Sequence, residues 1–348
     1  MNNYSTFRRV NRRSPCAICN GADWCTETTD GAIAFCMRLK SERQARNGSY
    51  IHVLDASQPP TRTFKPQPTV APSRIISTAL SDRRDAILTA LLRSHLTLSN
   101  EHREALQARG LDDGAIEAAG YRSAPSARYG ESIARALSSH DLRGVPGFYC
   151  AGGEWRLVDF GPGILIPARD ERGRVQALQL RRDAGLSPRY LWLSSGSKPH
   201  GTGSKAPIHY AKRHLLTSAQ SVLLTEGALK ADVIAHFLNR PVIANHNISY
   251  PQDFAAQLQI NFPQLKTCII AFDSDFRTNA AVKNGLTNLK AQLVKAGLRA
   301  TVRVWPRAYK GLDDYLLAGH AESQNSEKAQ CFPCTIQCLA PQTERIAF

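Results

Sequence analysis

The sequence has no apolar run approaching the ~20 residues needed to span a bilayer. Its N-terminus carries basic residues with no apolar stretch behind them, which excludes the pattern of a secretory signal. The expected setting is therefore the cytoplasm, with no membrane partner. Acidic residues are in short supply: 29 Asp and Glu stand against 44 Lys and Arg, leaving a formal net charge of +15 over 348 residues. That balance is unusual for an enzyme of small neutral substrates and ordinary for a protein that meets nucleic acid. Solubility alone would not require the charge to cluster, yet it does: at Arg8, Arg9, Arg12 and Arg13, between Arg169 and Arg189, and between Arg299 and Lys310. Long internal repeats are also absent. Cysteine is not scarce, with nine in the chain. In a reducing compartment, clustered cysteines point to metal rather than to disulfides.

The chain divides by composition into six stretches. Residues 1–55 hold four cysteines and few long apolar runs. Residues 56–81 contain Pro59, Pro60, Pro66, Pro68 and Pro72 and form an extended linker. Residues 82–125 have helical periodicity, with Ser99 as an N-cap, Gly110 as a stop, and Asp112 or Asp113 as the next cap. Residues 126–214 are strand-rich; "GILIPARDERGRVQALQLRRD" is a hairpin signal and "RYLWLSS" a further strand. Residues 215–320 alternate apolar strands with helices, the pattern of a parallel sheet covered on both faces. Residues 321–348 are a tail.

"SPCAICNGADWCTETTDGAIAFCMR" places Cys16, Cys19, Cys25 and Cys36 within one short segment. The Cys16-x-x-Cys19 spacing is a knuckle that aims two thiolates at one metal, and four thiolates close a structural Zn2+ site. A reduced segment this poor in large apolar groups needs such a staple to fold. Cys25 and Cys36 are widely separated, so His52 remains an alternative ligand. Cys331, Cys334 and Cys338 form a second group without a fourth ligand.

Carboxylates gather where strands of the alternating region end. Glu226 closes "SVLLTE", Asp273 and Asp275 close "CIIAFDSD", and Asp313 and Asp314 follow the strand "RATVRVWP". Ligands of open α/β sheets collect beyond the carboxyl ends of the strands. Crowded carboxylates repel one another, and a divalent cation such as Mg2+ (or Mn2+) removes that cost. Taken singly, each of these residues reads better as a helix cap; three sites arriving together at one sheet edge make that the weaker account.

The stretches "LLTEGALKADVIA", "IIAFDSDFRTNAAVKNGL" and "VWPRAYKGLDDYL" resemble the TOPRIM domain of bacterial-type DNA primases, topoisomerases and OLD-family nucleases. "LSNEHREALQARGLDDGAIEAAGYRS" is similar to the helical segment at the start of primase cores. "GILIPARDERGRVQALQLRRD" with "PRYLWLSS" is similar to the subdomain before TOPRIM in primases. The resemblance covers roughly residues 14–320 and is nearest to primase-like proteins of phages, plasmids and other mobile elements. It implies an α/β fold: a TOPRIM-type parallel sheet flanked by helices, preceded by a strand-rich primase-core subdomain, a helical segment and a small zinc-binding module.

By the same resemblance, Glu226, Asp273 and Asp275 are catalytic, and they hold Mg2+ together with Asp313 or Asp314. Arg169, Arg174, Arg181 and Arg182 lie on the side that meets template and nucleoside triphosphate, where guanidinium forks suit phosphate. The sequence departs from the family four residues after the glutamate, where many primases carry Asp and this chain has Lys230, a candidate phosphate contact beside Lys310. Asp232, though near, belongs to another face of the helix. The family's zinc module touches template DNA, a role open here to Trp24, Arg38, Lys40 and Arg43. The Gly/Ser-rich "SSGSKPHGTGSK" is a candidate phosphate cradle, with a plain hairpin tip as the alternative. The implied activity is synthesis of short RNA primers on single-stranded DNA from nucleoside triphosphates. No helicase motif is visible, so unwinding falls to a partner helicase. TOPRIM-type DNA cleavage and a non-catalytic single-strand-binding replication module are the alternatives. No nucleophilic tyrosine of a topoisomerase stands out.

Overall fold

The computed structural model describes residues 7–11, 13–45, 49–54, 77–246, 249–274 and 280–326, which belong to two compact units, Met1–Ala71 and Pro72–Phe348. No helix among them is long and apolar enough to cross a membrane.

The first unit is a four-stranded antiparallel sheet in sequential order: β1 (Phe7–Arg9), β2 (Thr26–Thr28), β3 (Ile33–Cys36) and β4 (Tyr50–Val53). Its buried cluster is Val10, Cys16, Cys25 and Cys36, with Ile18 and Cys19 packed against it. The sulfurs are thus much of the core.

The second unit opens with helices α1 (Ser81–Ala90), α2 (Asn100–Gln107) and α3 (Asp113–Ala119). The Ser99 hydroxyl caps α2 by accepting from His102 N, and Asp112 caps α3 by accepting from Ala115 N at 2.7 Å, as the sequence predicts. Strand β5 (Arg122–Ser123), helix α4 (Gly130–Ala136) and the hairpin of β6 (Phe148–Ala151) and β7 (Glu154–Leu157) follow. The "DERGR" turn joins β8 (Gly163–Arg169) to β9 (Val175–Arg182), and β10 (Tyr190–Trp192) completes an antiparallel sheet in the order β10-β9-β8-β5. Ile87, Leu88, Leu91 and Leu92 of the α1 region share one core with Leu165, Val175, Leu178 and Leu180 of this sheet. Stretches 82–125 and 126–214, distinct in composition, are therefore one packed body.

The remaining elements are β11 (His209–Ala211), β12 (Ser221–Glu226), α5 (Ala228–Leu238), β13 (Val242–Asn245), α6 (Phe254–Asn261), β14 (Thr267–Ile270), α7 (Ala280–Lys295), β15 (Arg299–Val302) and α8 (Leu312–Ser326). They build a five-stranded sheet in the order β11-β13-β12-β14-β15. Four strands are parallel, as the strand–helix alternation predicts. The edge strand β11 runs antiparallel to β13 and covers what would otherwise be an open edge. Successive residues of β12 serve opposite faces: Val222 and Leu224 pack with α6 and α7 residues, Leu223 with Ala231 and Ile234 of α5. Helix α8 spans 15 residues.

A fourth cluster ties these parts together at the start of α5. Leu106, Leu111, Ile116 and Tyr121 pack with Ile164 and Ile166 of β8 and with Ala228, Leu229 and Val233 of α5. At its edge the fully buried Tyr121 hydroxyl donates to Asp232 Oδ2 at 2.5 Å. His209 Nε2 lies 2.9 Å from Asp232 Oδ1, while His209 Nδ1 accepts from Arg169 N at 3.1 Å. That acceptance places the ring proton on Nε2, pointing at the carboxylate. Tyr121→Phe removes one donor and leaves a mostly buried carboxylate short of a bond. The expected cost is about 1–3 kcal/mol, read as a lower urea midpoint at unchanged slope.

Candidate active site and metal centre

The strand order gives β12 a neighbour on each side, reached by different crossovers: α5 leads to β13, and β14 pairs along the other edge. Open α/β sheets bind ligands in the crevice where the winding reverses, beyond the carboxyl ends of such strands. Glu226 is the last residue of β12 and Asp273 follows β14, so both stand at that crevice. Thr225 Oγ1 donates to Ala271 O at 3.0 Å, and Tyr250 Oη to Thr225 O at 3.0 Å, which fixes the two strand ends together. Gly227, at φ +78°, turns the chain from Glu226 into α5 and donates its N–H to Asn245 O at 2.8 Å. The turn sets Lys230 in the first turns of α5, above the crevice.

Helix α8 brings Asp313 and Asp314 in its first turn, with Gly311 N donating to Asp314 Oδ2 at 3.2 Å. Ser274 N donates to Lys310 O at 2.9 Å and holds the loop before α8 against the end of β14. The result is a cleft of about 450 Å3 whose walls include Glu226, Lys230, Asp273, Lys310, Asp313 and Asp314.

Charge in this cleft is closely matched. Lys230 Nζ is ion-paired with Asp273 Oδ1, and Lys310 Nζ lies 3.8 Å from Asp273 Oδ2. Arg109, at the end of the α2 turn, donates to Asp313 Oδ2 at 2.5 Å. Burial pushes the Asp313 carboxyl above the usual carboxylate range; Asp314 and Asp273 add to the rise, while Lys230 and Arg109 oppose it. Burial alone would lower Lys230, but Asp273, Asp313 and Glu226 outweigh it and hold the ammonium charged. Asp313 Oδ1 is buried and takes no hydrogen bond. Such an acceptor, among hard oxygen donors in an open cleft, fits a divalent cation such as Mg2+ or Mn2+.

Of the residues singled out by sequence, the cleft unites Glu226, Asp273, Asp313, Asp314, Lys230 and Lys310. Asp275 lies outside the described residues, as do Cys331, Cys334 and Cys338. Arg181 shares a face of β9 with the cleft residue Gln179 and pairs across to Tyr190, so it borders the site; Arg182 alternates to the other face and bonds Ser187 O at 2.9 Å. Arg169 and Arg174 do not reach the cleft. Arg169 is spent on Ala119 O and Gly173 O, and Arg174 on Asp82 and Asp170 at 2.7 and 2.8 Å. The Gly/Ser-rich loop is no open phosphate cradle. Ser195 N, Thr202 N, Lys198 N and Gly201 N all bond within the loop, and the buried Ser195 hydroxyl donates to Phe148 O at 2.6 Å. Sequence reasoning missed Arg109, Gln179, Arg189, Tyr190 and His246 as cleft residues. Arg109 and Arg189 sit inside quoted motifs, but nothing local reveals that they face the carboxylates.

In the first unit, the four sulfurs of Cys16, Cys19, Cys25 and Cys36 lie within 4.8 Å of one another, and Cys19 and Cys25 Sγ are 3.7 Å apart. Tetrahedral zinc with Zn–S near 2.3 Å sets sulfurs about 3.8 Å apart. Met37 N donates to Cys25 Sγ at 3.4 Å, and Arg38 N and Leu39 N to Cys36 Sγ at 3.4 and 3.2 Å, bonds that favour thiolate. Burial would raise Cys19, yet bonds from Gly21 N and the Arg38 guanidinium bring it down to about 6. Burial pushes Cys25 up to about 12 without metal. The set fits zinc. His52, the alternative ligand, bonds Leu39 O instead.

Residues 214–323 match the model of a family described as a domain of unknown function, DUF3854. No curated protein matches the chain by sequence. Among solved structures, the chain is similar to the zinc-binding and RNA polymerase domains of the Aquifex aeolicus primase, with a TM-score of 0.54 and 19% identity over 72% of this chain. It spans 61% of that chain, less than two thirds of its length. The RNA polymerase domain of Mycobacterium tuberculosis primase DnaG gives a TM-score of 0.54 and 18% identity, covering 70% of this chain and 82% of that one. A DnaG catalytic domain bound to single-stranded DNA gives 0.51 and 15%, covering 71% and 78%. At such identities the likeness is one of fold: the chain has the fold of a DnaG primase catalytic core, with an N-terminal cysteine cluster that fits a zinc module.

Proposed function

We propose that this protein is a TOPRIM-type primase, synthesising short RNA primers on single-stranded DNA during replication of a phage, plasmid or other mobile element. The observation that carries the reading is the meeting of Glu226, Asp273, Asp313 and Asp314 with Lys230, Lys310, Arg109 and Arg189 at the switch point of a primase-core fold. The reaction is attack of a primer 3′-hydroxyl on the α-phosphate of a nucleoside triphosphate, with pyrophosphate leaving. Mg2+ or Mn2+ held by Glu226, Asp273 and the α8 aspartates supplies charge stabilisation for this transfer. The exposed Lys310 and Arg189 are placed to meet the triphosphate tail, and Arg181 lies next to them on the same wall. Glu226, at the crevice floor and beside the N-terminus of α5, is the group positioned to orient the attacking hydroxyl.

The zinc module supports the same reading. Trp24 is 75% exposed immediately before the ligand Cys25, a platform on which a template base can stack. Unwinding is assigned to a separate helicase. Incubation of the chain with single-stranded DNA, labelled nucleoside triphosphates and Mg2+ tests the proposal. Labelled oligoribonucleotides of a few residues are the expected product. A shortened template would establish a nuclease instead, and DNA retention with neither product would establish a binding module.

A further inference from the structure

The four carboxylates of the described cleft face four side-chain cations, Arg109, Arg189, Lys230 and Lys310. These cations are not equivalent. Arg189 and Lys310 are exposed, and the Lys310 ammonium stands 3.8 Å from Asp273 Oδ2. Lys230 is largely buried, fixed on α5 one turn beyond Glu226, and ion-paired with Asp273. Three carboxylates, those of Asp273, Asp313 and Glu226, act on its ammonium.

The backbone makes room for this arrangement. A Cβ at residue 311 would lie 2.3 Å from Asp313 Oδ1 and 3.2 Å from Lys230 Nζ, so only glycine lets the loop pass between them without displacement. Among the described residues, only the four cysteines form a set of three or more ligand atoms all within 4.8 Å of one another, so no three of the cleft carboxylates are gathered that closely. One of them, Asp273, is paired with the lysine.

We infer that the Lys230 ammonium permanently fills one cation position of the cleft, so that the protein takes up one divalent ion fewer than its carboxylates would otherwise hold. The inference rests on reading the cleft as a divalent-cation site, but not on primer synthesis. Its physical basis is like-charge repulsion: with one divalent ion on the cleft carboxylates, a further one beside Asp273 would bind against a fixed ammonium already paired with that carboxylate. When the ammonium is absent, the same carboxylates repel one another and recruit metal.

The test uses the full, zinc-loaded chain without nucleotide or DNA. Mn2+ is titrated while free Mn2+ is followed by electron paramagnetic resonance and heat by calorimetry. Lys230→Gln should bind one more Mn2+ per chain than the native protein, or bind the last ion at least about tenfold more tightly. Lys230→Arg, which keeps the charge, should match the native protein. Thermal melting supplies a readout for a weakened variant: Mn2+ should raise the melting temperature of Lys230→Gln by more than it raises that of the native chain. Identical stoichiometry, affinity and melting shift in Lys230→Gln and native protein would overturn the inference and leave the cleft a metal site. Absence of Mn2+ binding in both would overturn the metal reading of the cleft itself.

Discussion

Glu226→Gln should reduce primer synthesis about 10²–10³-fold or more while shifting stability in chelator by no more than about 1 kcal/mol. The two effects separate because the residue has two environments. Beside the N-terminus of α5 and near Lys230, its charge is mildly favourable, as an acid at a helix start is. Among the other carboxylates lining the cleft it is unfavourable through repulsion. Those contributions oppose each other, so neutralising Glu226 leaves the fold nearly as it was. Catalysis has no such cancellation, because the carboxylate is needed where charge moves. Melting curves in chelator set against primer synthesis for the same preparation decide the matter. Near-normal synthesis would mean that Glu226 does no more than end a strand and start a helix.

Asp273→Asn is expected to behave differently from Glu226→Gln, although the two acids look alike in sequence. Asp273 is the ion-pair partner of the mostly buried Lys230, and its loss strands that ammonium. Breaking one side of a buried pair is strongly destabilising. The remaining attraction of Asp313 and Glu226 for Lys230 tempers the loss, to about 1–3 kcal/mol. Asp273→Asn should therefore lose both activity and stability.

Cys25→Ser should release the zinc and unfold residues 7–54 while residues 77–326 stay folded. The buried cluster of the first unit is one valine and three cysteines. Burying a valine stabilises by about 1.5–3 kcal/mol, whereas structural zinc contributes about 10–16 kcal/mol. The four core clusters of the second unit draw on none of these residues. Metal analysis should give about one zinc per chain in the native protein and close to none in Cys25→Ser. Limited proteolysis should then remove the N-terminal region and spare the rest. Retention of a full zinc equivalent by Cys25→Ser would mean that Cys25 is not a ligand.

Much of this protein is written in short-range patterns, which is why the sequence alone determined them. Apolar strands alternating with helices required a covered parallel sheet. The Ser99 and Asp112 caps depend on a hydroxyl or carboxylate three residues from an N–H, and the hairpin of β8 and β9 on the turn "DERGR". Four cysteines in one small segment left little but metal to hold it. Glu226 and Asp273 were legible because a strand ending in an acid is a local feature.

Tertiary structure decided what those acids meet. Arg109 and Asp313 are 204 residues apart in the chain and are joined only because the α2 region packs against α5. Asp232 lies on another face of α5, as its position in the helix required, but only the fold supplies its partners there, Tyr121 and His209. Arg169 and Arg174, phosphate contacts by the family resemblance, bond backbone carbonyls and Asp82 and Asp170 instead. The pairing of Lys230 with Asp273 likewise depends on the β12–β14 register, because charges interact through space and a linear sequence records no distances.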